Sequence, residues 1–305
     1  MAISETQLST WAKQGSIDLS SRTYASVRSA LEHSTNSPIS HLISSGVINI
    51  RLQGSYANDT NIRGDSDVDV IVEYTNTFHS NKHELPPQDL YVHEQTYSVA
   101  SYQWKDLRGD VITALQKYFG NDTVDTTGNK SLKILKNSNR LRSDVVPVVS
   151  YRRYAYFKDG TNHEKEKGVA FYHMTTKQEI INYPDYHKDN GVTKHANTTE
   201  WFKPTVRIFK NMVSYLIDRG VLTKEIAPSY FVQCLIYNTP NNLFGQNYQT
   251  TIVDVLNYLS TANLEIFKCQ NERHNLFDTG DTFWNTTDAR TTINALIHLW
   301  NDGML

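Results

Sequence analysis

One stretch constrains this chain more than any other. Val47-Ile48-Asn49-Ile50-Arg51-Leu52 alternates and is β-branched, which reads as a strand. It runs straight into Gln53-Gly54-Ser55-Tyr56, and residues 56–66, eleven in all, separate Ser55 from the pair Asp67-Val68-Asp69. The pair opens a second run, Val68 to Tyr74, that is nearly continuous in apolar residues and so reads as a strand inside a sheet. Residues two apart on a strand share a face, which sends Asp67 and Asp69 into one site. Two carboxylates that close repel each other unless a cation lies between them, and hard divalent ions with oxygen ligands, Mg²⁺ first, are the natural occupants. The Gly-Ser step supplies the complement: glycine lets backbone approach a phosphate, and the serine hydroxyl with free N–H groups can hold it. Phosphate on one side and metal on the other is the arrangement for moving a phosphoryl or nucleotidyl group. Asp65 shares the alternation but lies nearer the loop and reads as solvated.

Two metals about 4 Å apart need more ligands than two side chains provide. Asp144, in Arg142-Ser143-Asp144-Val145-Val146-Pro147-Val148-Val149, is a lone acid in an apolar β run. Taken alone it reads as a structural acid paired with Arg142 or Arg140. Beside the Gly-Ser and Asp-x-Asp signals it becomes the candidate third ligand, and a group able to draw a proton from an attacking hydroxyl.

The surrounding chain reads as an α+β protein: a mixed sheet core with an N-terminal helix, joined to a helical C-terminal part. Tyr24, Val27 and Leu31 fall on one helical face with Ser20 or Ser21 as a start cap. Residues 75–98 are polar, hold Pro86-Pro87, and read as a long excursion. Asp106 to Tyr118 reads as a helix burying Leu107, Val111, Ala114, Leu115 and Tyr118. A hairpin follows, from Lys130 to Leu135 and from Leu141 to Tyr151. From Trp201 the texture is helical: Val206, Phe209, Val213, Leu216 and Ile217 form a stripe between Pro204 and Gly220, and Pro228 starts the next helix. The domains so read are residues 1–200 and 201–305.

Composition narrows the partners. The 305 residues carry 30 Lys+Arg and 32 Asp+Glu, a formal charge of −2, which argues against a protein built mainly to grip a duplex. Ten basic against four acidic residues between Lys130 and Lys167 make the one basic stretch; it reads most simply as a solvated hairpin near a phosphate-rich site, the alternative being contact with an activating nucleic acid. Two cysteines are too few for a disulfide scaffold or a four-cysteine zinc site. No signal-peptide pattern and no apolar run of about 20 residues is present, so a cytoplasmic protein without a membrane association is expected.

Gly54-Ser55 followed by Asp67-Val68-Asp69, with Asp144 as the third acid, resembles the nucleotidyltransferase superfamily of DNA polymerase β. The wording of residues 53–70, of Asp144-Val145-Val146-Pro147 with Tyr151-Arg152-Arg153-Tyr154, and of the opening Met1-Ala2-Ile3-Ser4-Glu5 is similar to the bacterial CD-NTases, the cGAS/DncV-like enzymes that make cyclic oligonucleotide signals. The resemblance spans most of the chain. It implies a polymerase β-like fold whose helical C-terminal domain completes the nucleotide site. It implies Asp67, Asp69 and Asp144 as catalytic residues holding two Mg²⁺ ions, with Mn²⁺ able to replace them. Lys210 falls where the family places a lysine on the β- and γ-phosphates; Ser229, opening a helix, falls on the triphosphate and Tyr230 against the base. Gln53 adjoins the phosphate loop as a nucleotide contact. Arg207, three residues before Lys210, reads as part of a solvated basic face.

The activity implied is template-independent condensation of NTP substrates into a cyclic di- or trinucleotide with release of pyrophosphate, the product activating a downstream effector in anti-phage (CBASS) signalling. No zinc insert of the DNA-sensing animal relatives is present, which disfavours a nucleic-acid activator. Alternatives at this stage are a nucleotidyltransferase modifying an RNA end, a small molecule or a protein, and a non-catalytic nucleotide-binding partner subunit.

Overall fold

A computed structural model describes residues 3–15, 17–62, 67–278 and 284–303; Asp65 lies outside them. The chain runs α1 (Glu5–Trp11), α2 (Asp18–Glu32), α3 (Ser40–Ser44), β1 (Ile48–Leu52), α4 (Gly54–Ala57), β2 (Val68–Asn81), α5 (Pro87–Thr96) and α6 (Trp104–Phe119). It continues through β3 (Val124–Asp125), β4 (Leu132–Ile134), β5 (Ser143–Phe157), β6 (His163–Tyr172) and β7 (Glu179–Asn182). Helices complete it: α7 (Pro184–Asn197), α8 (Phe202–Asp218), α9 (Ser229–Tyr237), α10 (Tyr248–Thr261) and α11 (Thr286–Asp302). These elements form two compact units whose division is not sequential: residues 17–53 with 65–184, and residues 1–16, 54–64 and 185–305.

The first unit is a mixed sheet in the order β1-β2-β5-β4-β3, with β6 added along the far half of β5 and β7 on the outer side of β6. β1 and β2 are antiparallel, β2 and β5 parallel, and β4 and β5 antiparallel. Val68, Val70 and Val72 are fully buried while Asp69 alternates to the other face, as the strand period requires. β2 extends past Tyr74 to Asn81, so the first part of the expected excursion is strand. Its polar residues pair with Ser150–Arg153 of β5 after a register shift at Tyr74/Phe78; an available partner strand overrides weak patterning. α6 starts two residues earlier than its apolar spacing suggests, through a capping box between Gln103 and Asp106. Its buried side is Leu107, Val111, Ala114 and Leu115 as expected, but Tyr118 is exposed and meets His33 edge-on. α2 begins at Asp18; Ser20 lies inside it and donates to the Ile17 carbonyl instead of capping.

The second unit is helical. Phe202, Val206, Phe209, Met212, Val213 and Leu216 of α8 pack with Phe231 and Leu235 of α9, Ile252 and Val255 of α10, and Ile293 and Leu296 of α11. Pro204 falls in the first turn of α8, Pro228 caps α9, and Gly220 ends the α8 region at φ +71°, a conformation that favours glycine. Ile3, Leu8 and Ala12, from the N-terminal segment, belong to this core rather than to the sheet's. The Glu5 carboxylate accepts from the N–H groups of Tyr248 and Gln249, covering the orphan donors at the start of α10. Among the described residues no helix is long and apolar enough to cross a membrane.

Candidate active site

The carboxylates belong to the sheet unit. Parallel pairing sets Asp69 of β2 opposite Asp144 of β5, and antiparallel pairing sets Lys133 of β4 opposite Asp144 on its other flank. Residues in register on neighbouring strands point to the same face, so Asp69 and Asp144 share one, and Asp67, two residues before Asp69, shares it too. Burial pushes the Asp144 carboxyl above its ordinary pKa, and the charge of Asp67 pushes the same way. Ser131 Oγ donates to Asp144 Oδ2 at 3.2 Å, while Oδ1 is buried without a hydrogen-bond partner among the described residues. Asp67 takes both donors of an Arg142 fork, Nε to Oδ1 at 2.7 Å and Nη2 to Oδ2. Arg142 thus forks onto Asp67, and its charge also reaches Asp144, pulling that carboxyl's pKa down against the burial.

Among the described residues no three His, Cys, Asp or Glu side chains converge as a ready metal cage, and Arg142 engages both Asp67 oxygens. The donor set still fits a hard divalent cation: it is all oxygen, mutually repulsive, and holds one buried carboxylate oxygen with no hydrogen-bond partner among the described residues.

Gln53 closes β1 with its N–H on the Asp69 carbonyl at 3.0 Å, which ties the end of one strand beside the acid of the next. Gly54 follows with φ +65°, where a side chain would be strained, and opens the single turn α4 that carries Ser55. In the helical unit this turn is held by Asn58 Nδ2 on the Gly54 carbonyl and by Thr60 N–H on the Ser55 carbonyl.

Lys210 is 4% exposed. Its Nζ donates to the Thr60 carbonyl at 3.2 Å, to Thr60 Oγ1 at 3.1 Å and to Gln233 Oε1 at 3.0 Å, all in the helical unit. Arg207 is not on a solvated face: it donates to the carbonyls of Ala12 and Asp59, because α8 meets both the N-terminal segment and residues 54–64. Lys203, one turn earlier on the same face, pairs with Asp59 at 2.7 Å. Ser229 is exposed as the first residue of α9. The Tyr230 ring stacks with His187, ring centres 5.1 Å apart, and with Trp284, ring centres 5.6 Å apart.

Comparison with known proteins decides the family. The chain is 36% identical to the cyclic UMP-AMP synthase of Rhodothermus marinus (strain SG0.5JP17-172), with 98% of each chain covered. The solved structure of Rhodothermus marinus CdnE c-UMP-AMP synthase with Apcpp and Upnpp matches at a TM-score of 0.84 and 36% identity, covering 98% of this chain and 97% of that one. The chain belongs to the CD-NTases. Within them this CD-NTase falls in the CdnE clade and is a nucleotidyltransferase, a cyclic dinucleotide synthase. Residues 39–168 match the nucleotidyltransferase domain, and residues 189–301 the cGAS/DncV-like nucleotidyltransferase C-terminal helical domain. Two further relatives are the cyclic nucleotide synthase CdnE01 of Staphylococcus haemolyticus, 36% identical with 99% of this chain and 100% of that one covered, and the cyclic dipurine nucleotide synthase of Elizabethkingia meningoseptica, 31% identical with 82% of each covered. Products differ across these names, so clade membership does not choose the bases.

Sequence reasoning missed a buried polar network in this CD-NTase. Gln233 Oε1 accepts from Lys210 and from Thr60 Oγ1, and its Nε2 donates to His187 Nε2 at 3.2 Å and to Gln270 Oε1 at 3.0 Å. Gln270 Nε2 returns to the His187 carbonyl. The available signal was polar residues, Thr60, His187, Gln233 and Gln270, inside stretches that otherwise bury apolar ones. Burial, with the nearby Lys210 charge, pushes His187 down to about 3. A histidine held neutral in the fold takes up a proton first in the unfolded chain, so stability falls with pH from about 6.5 towards 3, by up to about 1.4 kcal/mol per pH unit. Urea titrations at pH 7.5 and 4.5 are expected to show this loss, and His187→Gln to make it shallower. An equal loss in both proteins assigns the acid sensitivity elsewhere.

Proposed function

We propose that this CD-NTase joins two NTPs, without a template, into a cyclic dinucleotide, in a reaction dependent on two Mg²⁺ ions that Mn²⁺ can replace. The observation that carries this reading is the alignment of Asp67, Asp69 and Asp144 on one sheet face, with the Asp144 Oδ1 buried and without a hydrogen-bond partner among the described residues. Asp67, Asp69 and Asp144 hold the ions, which when bound neutralise charge on the reacting phosphate and lower the pKa of the attacking hydroxyl. The Asp144 carboxylate takes the hydroxyl proton. The hydroxyl oxygen of one nucleotide bonds to the α-phosphorus of the other, the bond to the bridging oxygen breaks, and pyrophosphate leaves; a second such transfer closes the ring.

Gly54 and Ser55 bind triphosphate through backbone N–H groups and the hydroxyl, Ser229 through the exposed start of α9, and Lys210 by its charge. Gln53 contacts the nucleotide beside the Gly-Ser turn, and Tyr230 carries the base. The NTP supply places the work in the cytoplasm, and the product acts on an effector in anti-phage signalling.

Incubation of the protein with all four NTPs and Mg²⁺ or Mn²⁺, then phosphatase and mass spectrometry, tests this. A phosphatase-resistant cyclic dinucleotide, missing with Asp67→Asn, is expected, and its mass names the bases. Transfer seen only onto an added RNA, protein or small molecule overturns the reading.

A further inference from the structure

We propose that Ser131 is a positioning residue for Asp144, aiming the carboxylate oxygen that meets the metal; this rests on the reading of Asp144 as a ligand. Ser131 stands immediately before β4 and two residues from Lys133, the antiparallel neighbour of Asp144. The same-face rule therefore carries Ser131 to the Asp144 side of the sheet. Its Oγ donates to Oδ2 at 3.2 Å, and Oδ1 is buried without a hydrogen-bond partner among the described residues. The two oxygens of a carboxylate diverge, so anchoring one from the β4 flank turns the other away from β4. On the opposite flank of β5 lies β2, with Asp69 in register.

The chemistry of the donor matters as much as its place. A hydroxyl orients a carboxylate without neutralising it, whereas a cation in that position competes with a metal for the same charge. Both arrangements occur here: Asp67 is held by the Arg142 guanidinium, and Asp144 by a neutral O–H. Outer partners of this kind fix ligand orientation, and their loss lowers metal affinity or activity by about 10- to 100-fold.

The test compares Ser131→Ala, Ser131→Thr and Asp144→Asn by Mn²⁺ binding, read from the free-ion electron paramagnetic resonance signal, alongside turnover against metal concentration and thermal midpoints. Ser131→Ala is expected to weaken Mn²⁺ binding about 10-fold and to raise the metal requirement of turnover equally, with KM for NTP unchanged at saturating metal. Ser131→Thr, which keeps the O–H, is expected to match the parent. If Ser131→Ala binds Mn²⁺ like the parent while Asp144→Asn does not, the positioning role is wrong and the ligand reading stands. If Asp144→Asn itself binds Mn²⁺ and turns over normally, the ligand reading falls and the positioning role with it. A loss shared by the alanine and threonine variants together with a lowered thermal midpoint makes Ser131 merely structural.

Discussion

Replacing Asp69 with asparagine is expected to remove cyclic dinucleotide synthesis, by about three orders of magnitude or more, roughly 4 kcal/mol of barrier. Asp69 is the residue on β2 that stands in register with Asp144. Asparagine keeps its shape and offers the strand the same backbone bonds, so the fold should survive; a substitution of this kind costs within about 0.5 kcal/mol when nothing buried is broken. Product quantified by mass spectrometry, with circular dichroism on the same samples, checks both halves. A folded Asp69→Asn protein that still makes product at the parental rate removes Asp69 from the chemistry. An unfolded one leaves Asp67→Asn and Asp144→Asn to decide, since those side chains sit at different places on the two strands.

The second large effect is expected at Lys210. Lys210→Met keeps the length and apolar stem while removing a cation from three oxygens, the Thr60 carbonyl, Thr60 Oγ1 and Gln233 Oε1. Part of the loss is returned, because burying an ammonium is itself costly. Of the acceptors left behind, Gln233 Oε1 and Thr60 Oγ1 keep their bond to each other, while the Thr60 carbonyl loses the Lys210 donor, at about 1–3 kcal/mol if water does not reach it. A net destabilisation of about 2 kcal/mol is the expected result, with a rise of at least ten-fold in KM for NTP if the same charge serves the triphosphate. Urea midpoints and steady-state kinetics separate the two roles. A lower midpoint with unchanged KM makes Lys210 a bolt for residues 54–64 and nothing more. Unchanged values of both mean that the network does not depend on the lysine.

Much of the site was legible because its chemistry obeys short-range rules. An acid at every second position of a strand, a glycine where backbone must turn at φ +65°, and a serine directly after it all leave a mark within a few residues. Asp144 was legible for a related reason, as a charge inside an apolar run where it has to answer to something. Arg207 was misread because helical spacing shows only that it lies off the α8 apolar stripe. Its acceptors, Ala12 and Asp59, are carbonyls far along the chain and carry no side-chain signature. Tyr230 was legible as an aromatic at a helix start, but not its stacking with His187 and Trp284.

By itself, then, the sequence determined the strand pair, the carboxylate pair upon it, the Gly-Ser turn and the run of amphipathic helices, since each follows from side-chain period and backbone freedom over a handful of residues. The tertiary structure alone decided which strands are neighbours, so that Asp69 lies against Asp144, and which oxygen of Asp144 is held by Ser131. It alone decided that residues 1–16 and 54–64 pack with 185–305, and that Lys210 is spent on Thr60 and Gln233. Those choices rest on contacts between residues tens to hundreds of positions apart, selected by burial and by the need of every buried polar group for a partner. Such contacts impose no period on the chain, and so leave none to read.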